Sequence, residues 1–308
     1  MKKILMLLIA LAMLLSLVAV LPACNEEEAA TPTATPALTP TPLTVVPPLK
    51  PVGRLTVATT TSLYDTGLWS YLEPMFEQKY GVNLNIISVG SGKAFTLGKS
   101  GDVDVLTVHE PKGEQDFLAG NYSSARVPFA YNYFAIVGPP SDPAGIKDMA
   151  PVDAFKKLIT GGNVTGSQVK FVSRGDGSGT HAAEQRLWAA AGYQYTDVQK
   201  SGSWYVEGGG GMGPTLVMAN DKQAYTLTDM GTFISYKSKL NLVALVNQKI
   251  DILLNVYCVM VVNITKNKTM ANNLVTFLTS PEIQDLMSKY GVEEYGTQLF
   301  TPCAGQNL

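Results

Sequence analysis

The residues best suited to chemistry lie in the segment Ser173-Arg-Gly-Asp-Gly-Ser-Gly-Thr-His181, which we call loop three. It follows a strand-like run and opens a helix-like run. Glycine, serine and threonine at the start of a helix leave unpaired N–H groups beside the positive end of the helix dipole. Arg174 adds one full positive charge, so loop three predicts a cradle for an anion. A plain helix cap by Ser178 or Thr180 is the alternative for such a segment taken alone.

Two upstream loops have the same composition and the same place between a strand and a helix. Loop one is Thr59-Thr-Thr-Ser62, and loop two is Val89-Gly-Ser-Gly-Lys93. In open α/β sheets, ligands bind beyond the carboxyl ends of the strands, where such loops gather. The three loops offer hydroxyl and N–H donors, and Asp176 is their only carboxylate. The sequence therefore predicts that a tetrahedral dianion is held in a cleft that closes around it.

Residues 1–23 are predicted to be a lipoprotein signal peptide. Two lysines precede an apolar run over 4–20, and Leu21-Pro-Ala-Cys24 matches a cleavage box with Cys at its end. A single transmembrane anchor is the alternative, but the early position, the proline and the cysteine oppose it. The mature chain is then lipidated at Cys24 and tethered outside the cytoplasmic membrane.

Residues 24–52 predict an extended linker, because repeated Thr-Pro cannot form a core. The remainder is long enough for two lobes. Loss of the leader removes Lys2 and Lys3, which leaves 21 basic against 25 acidic side chains and a net charge of −4. This balance, without any basic run, argues against a nucleic-acid partner. An acidic protein that binds an anion must use local donors.

Strand-like and helix-like runs alternate, which predicts an α/β fold with mostly parallel sheets flanked by helices. Two long apolar runs, 131–137 and 256–262, are predicted to be strands that cross between two lobes as a hinge. Lobe one is then 53–132 and 256–308, and lobe two is 133–255.

Other site types find weak support. Cys258 and Cys303 could form a disulfide outside the cytoplasm, and the sequence leaves this open. His109 and His181 are the only histidines and lie far apart, so no metal site is predicted. The run 208–213 indicates a flexible turn. A serine hydrolase that uses Ser178 with His181 is the least favoured alternative.

Seven motifs in chain order resemble those of the tungstate-binding proteins of ABC importers. They are Ala58-Thr-Thr-Thr-Ser62, Ser88-Val-Gly-Ser-Gly92, Gly101-Asp-Val-Asp-Val-Leu, Ser173-Arg-Gly-Asp, Ser178-Gly-Thr-His181, Gly211-Met-Gly-Pro-Thr-Leu and Gln223-Ala-Tyr-Thr-Leu-Thr-Asp. The resemblance implies a type 2 periplasmic-binding-protein fold, without enzymatic activity or a cofactor. It also implies a monomer that captures tungstate, with molybdate as competitor, and delivers it to a membrane permease.

The resemblance also implies a set of ligand-binding residues. They are Thr61, Ser62, Ser91, Gly92, Arg174, Ser178, Gly179 and Thr180, with Thr60 and His181 as weaker candidates.

Two residues of loop three bear on the identity of the anion. Gly177 stands where the family more often has Asp or Asn, which brings the loop closer to that of phosphate-binding proteins, so phosphate and molybdate receptors remain alternatives. Asp176 supplies a criterion, because phosphate carries a proton near neutral pH that a carboxylate can accept, whereas tungstate carries none and is repelled. If Asp176 pairs with Arg174 or points away, the site suits a fully ionised oxyanion.

Overall fold

The computed structural model describes residues 53–308, so the predicted leader, Cys24 and the linker lie outside the described part. The strands are β1 (Arg54–Thr60), β2 (Asn83–Val89), β3 (Val105–Val108), β4 (Val127–Gly138), β5 (Phe171–Ser173), β6 (Tyr205–Glu207), β7 (Thr226–Asp229), β8 (Val243–Val246), β9 (Leu254–Val261) and β10 (Thr301–Pro302). The helices are α1 (Thr61–Asp65), α2 (Leu68–Tyr80), α3 (Ser91–Ser100), α4 (Pro111–Ala119), α5 (Pro151–Gly162), α6 (Gly179–Ala190), α7 (Tyr195–Val198), α8 (Met212–Lys222), α9 (Met230–Tyr236), α10 (Lys268–Thr279), α11 (Pro281–Lys289) and α12 (Val292–Tyr295). Within 53–308, no helix combines the length and apolar character that crossing a membrane requires.

The main sheet is organised around the long strand β4. The first half of β4 pairs with β9 and β10, and its second half pairs with β7 and β8. Beyond β9 the sheet continues in the order β3, β1, β2. The predicted parallel pairing is found for β1 with β2 and β3, and for β5 with β6. The long strands pair antiparallel, because β4 leaves one half of the molecule and β9 returns to it.

Buried apolar side chains form four clusters that divide between the two ends of β4. Two clusters draw on residues up to Ala130 and from Tyr257 onward. The other two draw on residues between Phe134 and Leu253. The chain therefore passes between the two sets of clusters in β4 and at the start of β9. We propose on this basis that lobe one is 53–132 with 256–308 and lobe two is 133–255.

Two helices, α3 and α6, begin earlier than the sequence predicts. Helix α3 begins at Ser91 and α6 at Gly179, whereas helical character is expected only from Ala94 and Ala182. The prediction of a flexible turn over 208–213 is wrong at its end, because Gly211 caps α8. Glycine has a low intrinsic helix propensity, so tertiary contacts decide these starts.

The two cysteines within 53–308, Cys258 and Cys303, are free and buried. Cys258 lies on β9 and Cys303 follows β10, and these strands flank β4 on opposite sides. Their Cα atoms are therefore separated by two strand spacings, roughly 9–10 Å. A disulfide spans at most about 7 Å, so the backbone holds the thiols apart.

Candidate anion-binding site

The fold brings the three predicted loops together between the lobes. Gly92 of loop two donates its N–H to the carbonyl of Gly177 in loop three over 3.2 Å. Arg174 of loop three donates from Nη2 to Thr61 Oγ1 of loop one over 3.1 Å. Lobe one and lobe two thus lie closed on each other at these loops.

Each loop runs into the first turn of a helix. Helices α1, α3 and α6 begin at Thr61, Ser91 and Gly179. The first N–H groups of a helix have no partner within it, and they carry the positive end of its dipole. The contacts between the loops bring these three helix starts together, and N–H groups at such starts can bind an anion.

Two hydroxyls predicted as ligands are buried without a partner. Ser91 Oγ and Thr180 Oγ1 belong to side chains with 0% and 1% exposure, and neither makes a hydrogen bond with the described residues. Leaving a buried polar group unpaired costs about 1–3 kcal/mol. Both hydroxyls are therefore available to a bound acceptor.

Replacing these hydroxyls is expected to have opposite effects on stability and binding. Ser91→Ala and Thr180→Val each remove an unpaired buried group, so the anion-free protein should gain up to about 1 kcal/mol in unfolding free energy. Each should also weaken anion binding about tenfold, because one donor is lost. Urea unfolding without anion and calorimetric titration measure the two effects. A loss of stability would show that the hydroxyl has a partner within the protein.

Arg174 is held in a fixed orientation by Gly210, Asp176 and Thr61. Its side chain is 1% exposed, and Nε donates to the Gly210 carbonyl over 2.8 Å. Asp176 Oδ2 lies 2.5 Å from Nη2 and 3.2 Å from Nε, in the forked geometry of a strong ion pair. Among residues 53–308, Nη1 makes none of the hydrogen bonds of this arginine. Nη1 therefore remains available to donate hydrogen bonds to an anion.

Asp176 is fully engaged within loop three. Oδ2 accepts from Arg174, and Oδ1 accepts the N–H of Ser178 over 3.1 Å. The carboxylate thus pairs with Arg174, which is the arrangement expected for a fully ionised oxyanion.

Gly177 reports the backbone conformation of loop three. Its φ is +67°, in the left-handed region, and a Cβ placed there would have nothing within 4 Å. Asn and Asp are the other residues that tolerate this region best. The difference from the family pattern at this position therefore has a backbone explanation that does not depend on the anion.

The remaining candidates have additional structural partners. Ser178 Oγ accepts the N–H of His181 over 3.3 Å, so Ser178 caps α6. His181 Nδ1 accepts the N–H of Gly177 over 2.9 Å, and its Nε2 lies 2.7 Å from Tyr195 Oη. Both ring nitrogens are thus occupied within lobe two. The His181 ring therefore makes no hydrogen bond with the Ser178 hydroxyl, as a general base would. Thr60 Oγ1 accepts the N–H of Leu63 over 3.4 Å as the cap of α1.

The predicted ligand set leaves out three buried polar side chains near the site, which are Asn132, Asn255 and Thr59 of loop one. Asn132 and Asn255 lie at the centre of β4 and at the start of β9, and Asn255 Nδ2 donates to Asn132 Oδ1 over 2.7 Å. Thr59 Oγ1 accepts from Trp69 Nε1 over 2.7 Å. An asparagine within or beside an otherwise apolar strand is the sequence signal that could have identified Asn132 and Asn255, because a buried amide requires a hydrogen-bond partner.

Glu184 of α6 stabilises the start of loop three through a buried hydrogen bond with Ser173. It accepts hydrogen bonds from Ser173 Oγ at 2.7 Å, Trp188 Nε1 at 3.0 Å and Tyr205 Oη at 2.6 Å. Burial nevertheless raises the pKa of Glu184 to about 7.

The raised pKa of Glu184 predicts a pH dependence of stability. Between the ordinary value of 4.5 and about 7, the folded state holds a proton that the unfolded state has released. Stability should therefore fall as pH rises through this window. Glu184→Gln, which can accept from Trp188 and Tyr205 in the same way, should flatten the slope. Urea unfolding at a series of pH values measures it, and an unchanged slope in the variant would assign the effect to another group.

Comparison with known proteins identifies the family. The model of the PBP superfamily domain matches residues 27–282. The chain belongs to the PBP superfamily. The tungstate-binding protein TupA of Peptoclostridium acidaminophilum is 39% identical over 258 residues, which cover 82% of this PBP chain and 87% of that protein.

Solved structures agree with this assignment. The tungstate-binding protein TupA from Desulfovibrio alaskensis G20 has 37% identity and a TM-score of 0.66, and the match covers 82% of this chain and 100% of that one. The tungstate ABC transporter structure from Geobacter sulfurreducens has 42% identity and a TM-score of 0.66, with 77% and 98% covered. The predicted type 2 fold and the resemblance to tungstate-binding proteins are confirmed.

Proposed function

We propose that this PBP is the extracytoplasmic receptor of an ABC importer and that it captures tungstate. The observation that carries the proposal is a cluster of donors at the N-termini of α1, α3 and α6, in which Asp176 is paired with Arg174. Relatives and solved structures named for tungstate support the same ligand.

The donors favour an unprotonated oxyanion over phosphate. Ser91, Thr180, Nη1 of Arg174 and the first N–H groups of α1 and α6 can all donate. The one carboxylate of the three loops accepts from Arg174 and from Ser178, so it is not free to accept a hydrogen bond from the P–OH group of phosphate. Tungstate and molybdate present only acceptor oxygens, and molybdate is the close competitor.

The remaining parts of the proposal follow from this role. The receptor is a monomer that is not an enzyme, needs no cofactor, and hands its anion to a membrane permease. Lipidation of Cys24 holds it at the outer face of the cytoplasmic membrane. Within 53–308, no cluster of His, Cys, Asp and Glu is arranged to hold a metal cation.

Calorimetric titration of the purified protein with tungstate, molybdate, sulfate and phosphate tests the proposal. Tungstate should bind tightly. Phosphate should bind at least about 100-fold more weakly, because the site offers no acceptor for the hydrogen bond of its P–OH group. Tight phosphate binding would contradict the role given to Asp176. An assay with activated esters should show no turnover, and turnover that Ser178→Ala abolished would support the hydrolase instead.

A further inference from the structure

A chain of buried hydrogen bonds leads from loop one through both hinge strands to lobe two. Its members in order are Thr60, Ser62, His109, Asn255, Asn132 and Asp229. The distances between successive polar atoms are 3.3, 3.1, 2.6, 2.7 and 3.1 Å. Each side chain contacts the next through one atom pair. The direction of donation in one hydrogen bond, which we call its polarity, therefore sets the direction in the next.

The polarity is fixed at the Asp229 end. Asp229 Oδ1 accepts the backbone N–H of Thr232 over 2.9 Å, and a backbone N–H can only donate. This oxygen is therefore an acceptor whether or not the other carboxyl oxygen carries a proton. Asn132 must turn its NH2 group toward it, which leaves the Asn132 carbonyl to accept from Asn255. The Asn255 carbonyl in turn accepts from His109 Nδ1.

His109 must then carry its proton on Nδ1. The ring is buried between Ser62 and Asn255 and stacks on Tyr257 with ring centroids 4.8 Å apart. Burial and the positive charges of Arg174 and Arg186 lower the pKa of His109 to about 4, against the opposing effects of Asn255 and Asp176. The ring is neutral near pH 7, so Nε2 presents a lone pair to Ser62 Oγ.

We propose that His109 is a positioning residue that holds the Ser62 hydroxyl proton away from the anion pocket. Ser62 then serves the anion through its backbone N–H, which lies in the first turn of α1 and has no partner within the helix. Ser91 and Thr180, whose hydroxyls are unpaired, supply the side-chain donors. This deepens the proposed function and rests on it for the identity of the anion, but the state of His109 does not depend on that identity.

The state of His109 can be measured directly. The chain has two histidines, so ring 15N spectra of histidine-labelled protein contain two spin systems, and His109→Gln assigns them. We expect the Nδ1–H tautomer without anion from about pH 5.5 to about pH 8. An Nε2–H tautomer, or an imidazolium in this range, would overturn the proposal even if the protein binds tungstate tightly.

A pair of serine variants tests the consequence for binding. Ser62→Ala removes the hydroxyl but keeps the backbone N–H that serves the anion, so it should change the dissociation constant for tungstate by less than about threefold. Ser91→Ala removes a donating hydroxyl and should raise the dissociation constant about tenfold. Equal losses would overturn the proposal, because they would show that the Ser62 hydroxyl donates to the anion. Ser62→Ala leaves His109 Nε2 unpaired, so a lower melting temperature is expected and binding is measured well below it. If the wild-type protein does not bind tungstate, the proposed function fails and the tautomer measurement still decides the role of His109.

Discussion

Replacing Arg174 by alanine is expected to raise the dissociation constant for tungstate by roughly 30- to 700-fold, which corresponds to about 2–4 kcal/mol. The guanidinium is the one full positive charge of the three loops that is buried at the site. Its removal also frees Asp176, whose carboxylate would then repel a dianion. Calorimetric titration measures the loss, and an unchanged dissociation constant would remove Arg174 from the site.

Two controls separate charge from geometry. Arg174→Lys keeps a charge but loses the fork that Asp176 and Thr61 hold, so an intermediate loss is expected. Arg126→Ala removes a different guanidinium, which pairs with Glu114 over 2.5 Å in lobe one. That variant should lower stability and leave tungstate affinity within about threefold, because Arg126 contacts none of the three loops.

The three loops could be predicted from the sequence because the interactions that define them join residues close together in the chain. Each one joins a strand to a helix, and hydroxyl and glycine residues at such a junction already imply free N–H groups. The contact of Arg174 with Asp176 joins residues two positions apart. Composition and spacing therefore predict both the place of the site and the charge of its ligand.

The chain of buried hydrogen bonds from Thr60 to Asp229 could not be predicted from the sequence, because its bonds join distant residues. His109 and Asn255 are 146 positions apart, and Asn132 and Asp229 are 97 apart. His109 alone indicates only a polar strand end bonded to nearby backbone. Its actual side-chain partners follow from the antiparallel pairing of β4 and β9, in which Asn132 lies opposite Asn255.

The start of α8 shows the same limit for glycine. A run of glycines predicts a turn from propensity, yet Gly213 lies within α8. A Cβ at Gly213 would be 2.2 Å from Tyr236 Oη. Close packing against the aromatic ring of Tyr236, and not backbone freedom, favours glycine at this position.

Gly179→Ala is expected to weaken tungstate binding by roughly 5- to 150-fold, because overpacking at this contact costs about 1–3 kcal/mol. An added Cβ would lie 2.8 Å from the carbonyl oxygen of His109 and 2.9 Å from its ring atoms Cε1 and Nε2. The backbone oxygen cannot turn aside, so the lobes would have to stay apart. The clash disappears when the cleft opens, so the anion-free protein should keep its unfolding free energy. With saturating tungstate, small-angle scattering should show a larger radius of gyration than for the wild-type complex.

Gly211→Ala is the matched control across the same cleft. Gly211 also begins a helix of lobe two and faces loop one, but a Cβ there would meet Thr61 at 3.4 Å, an ordinary contact. This variant should close normally and bind within about threefold of the wild type. If both alanines weakened binding equally, the cause would be the loss of glycine at a helix start, and the contact between Gly179 and His109 would have no special part in closure. If only Gly179→Ala weakens binding, closure depends on the fit of α6 against the residue that orients Ser62.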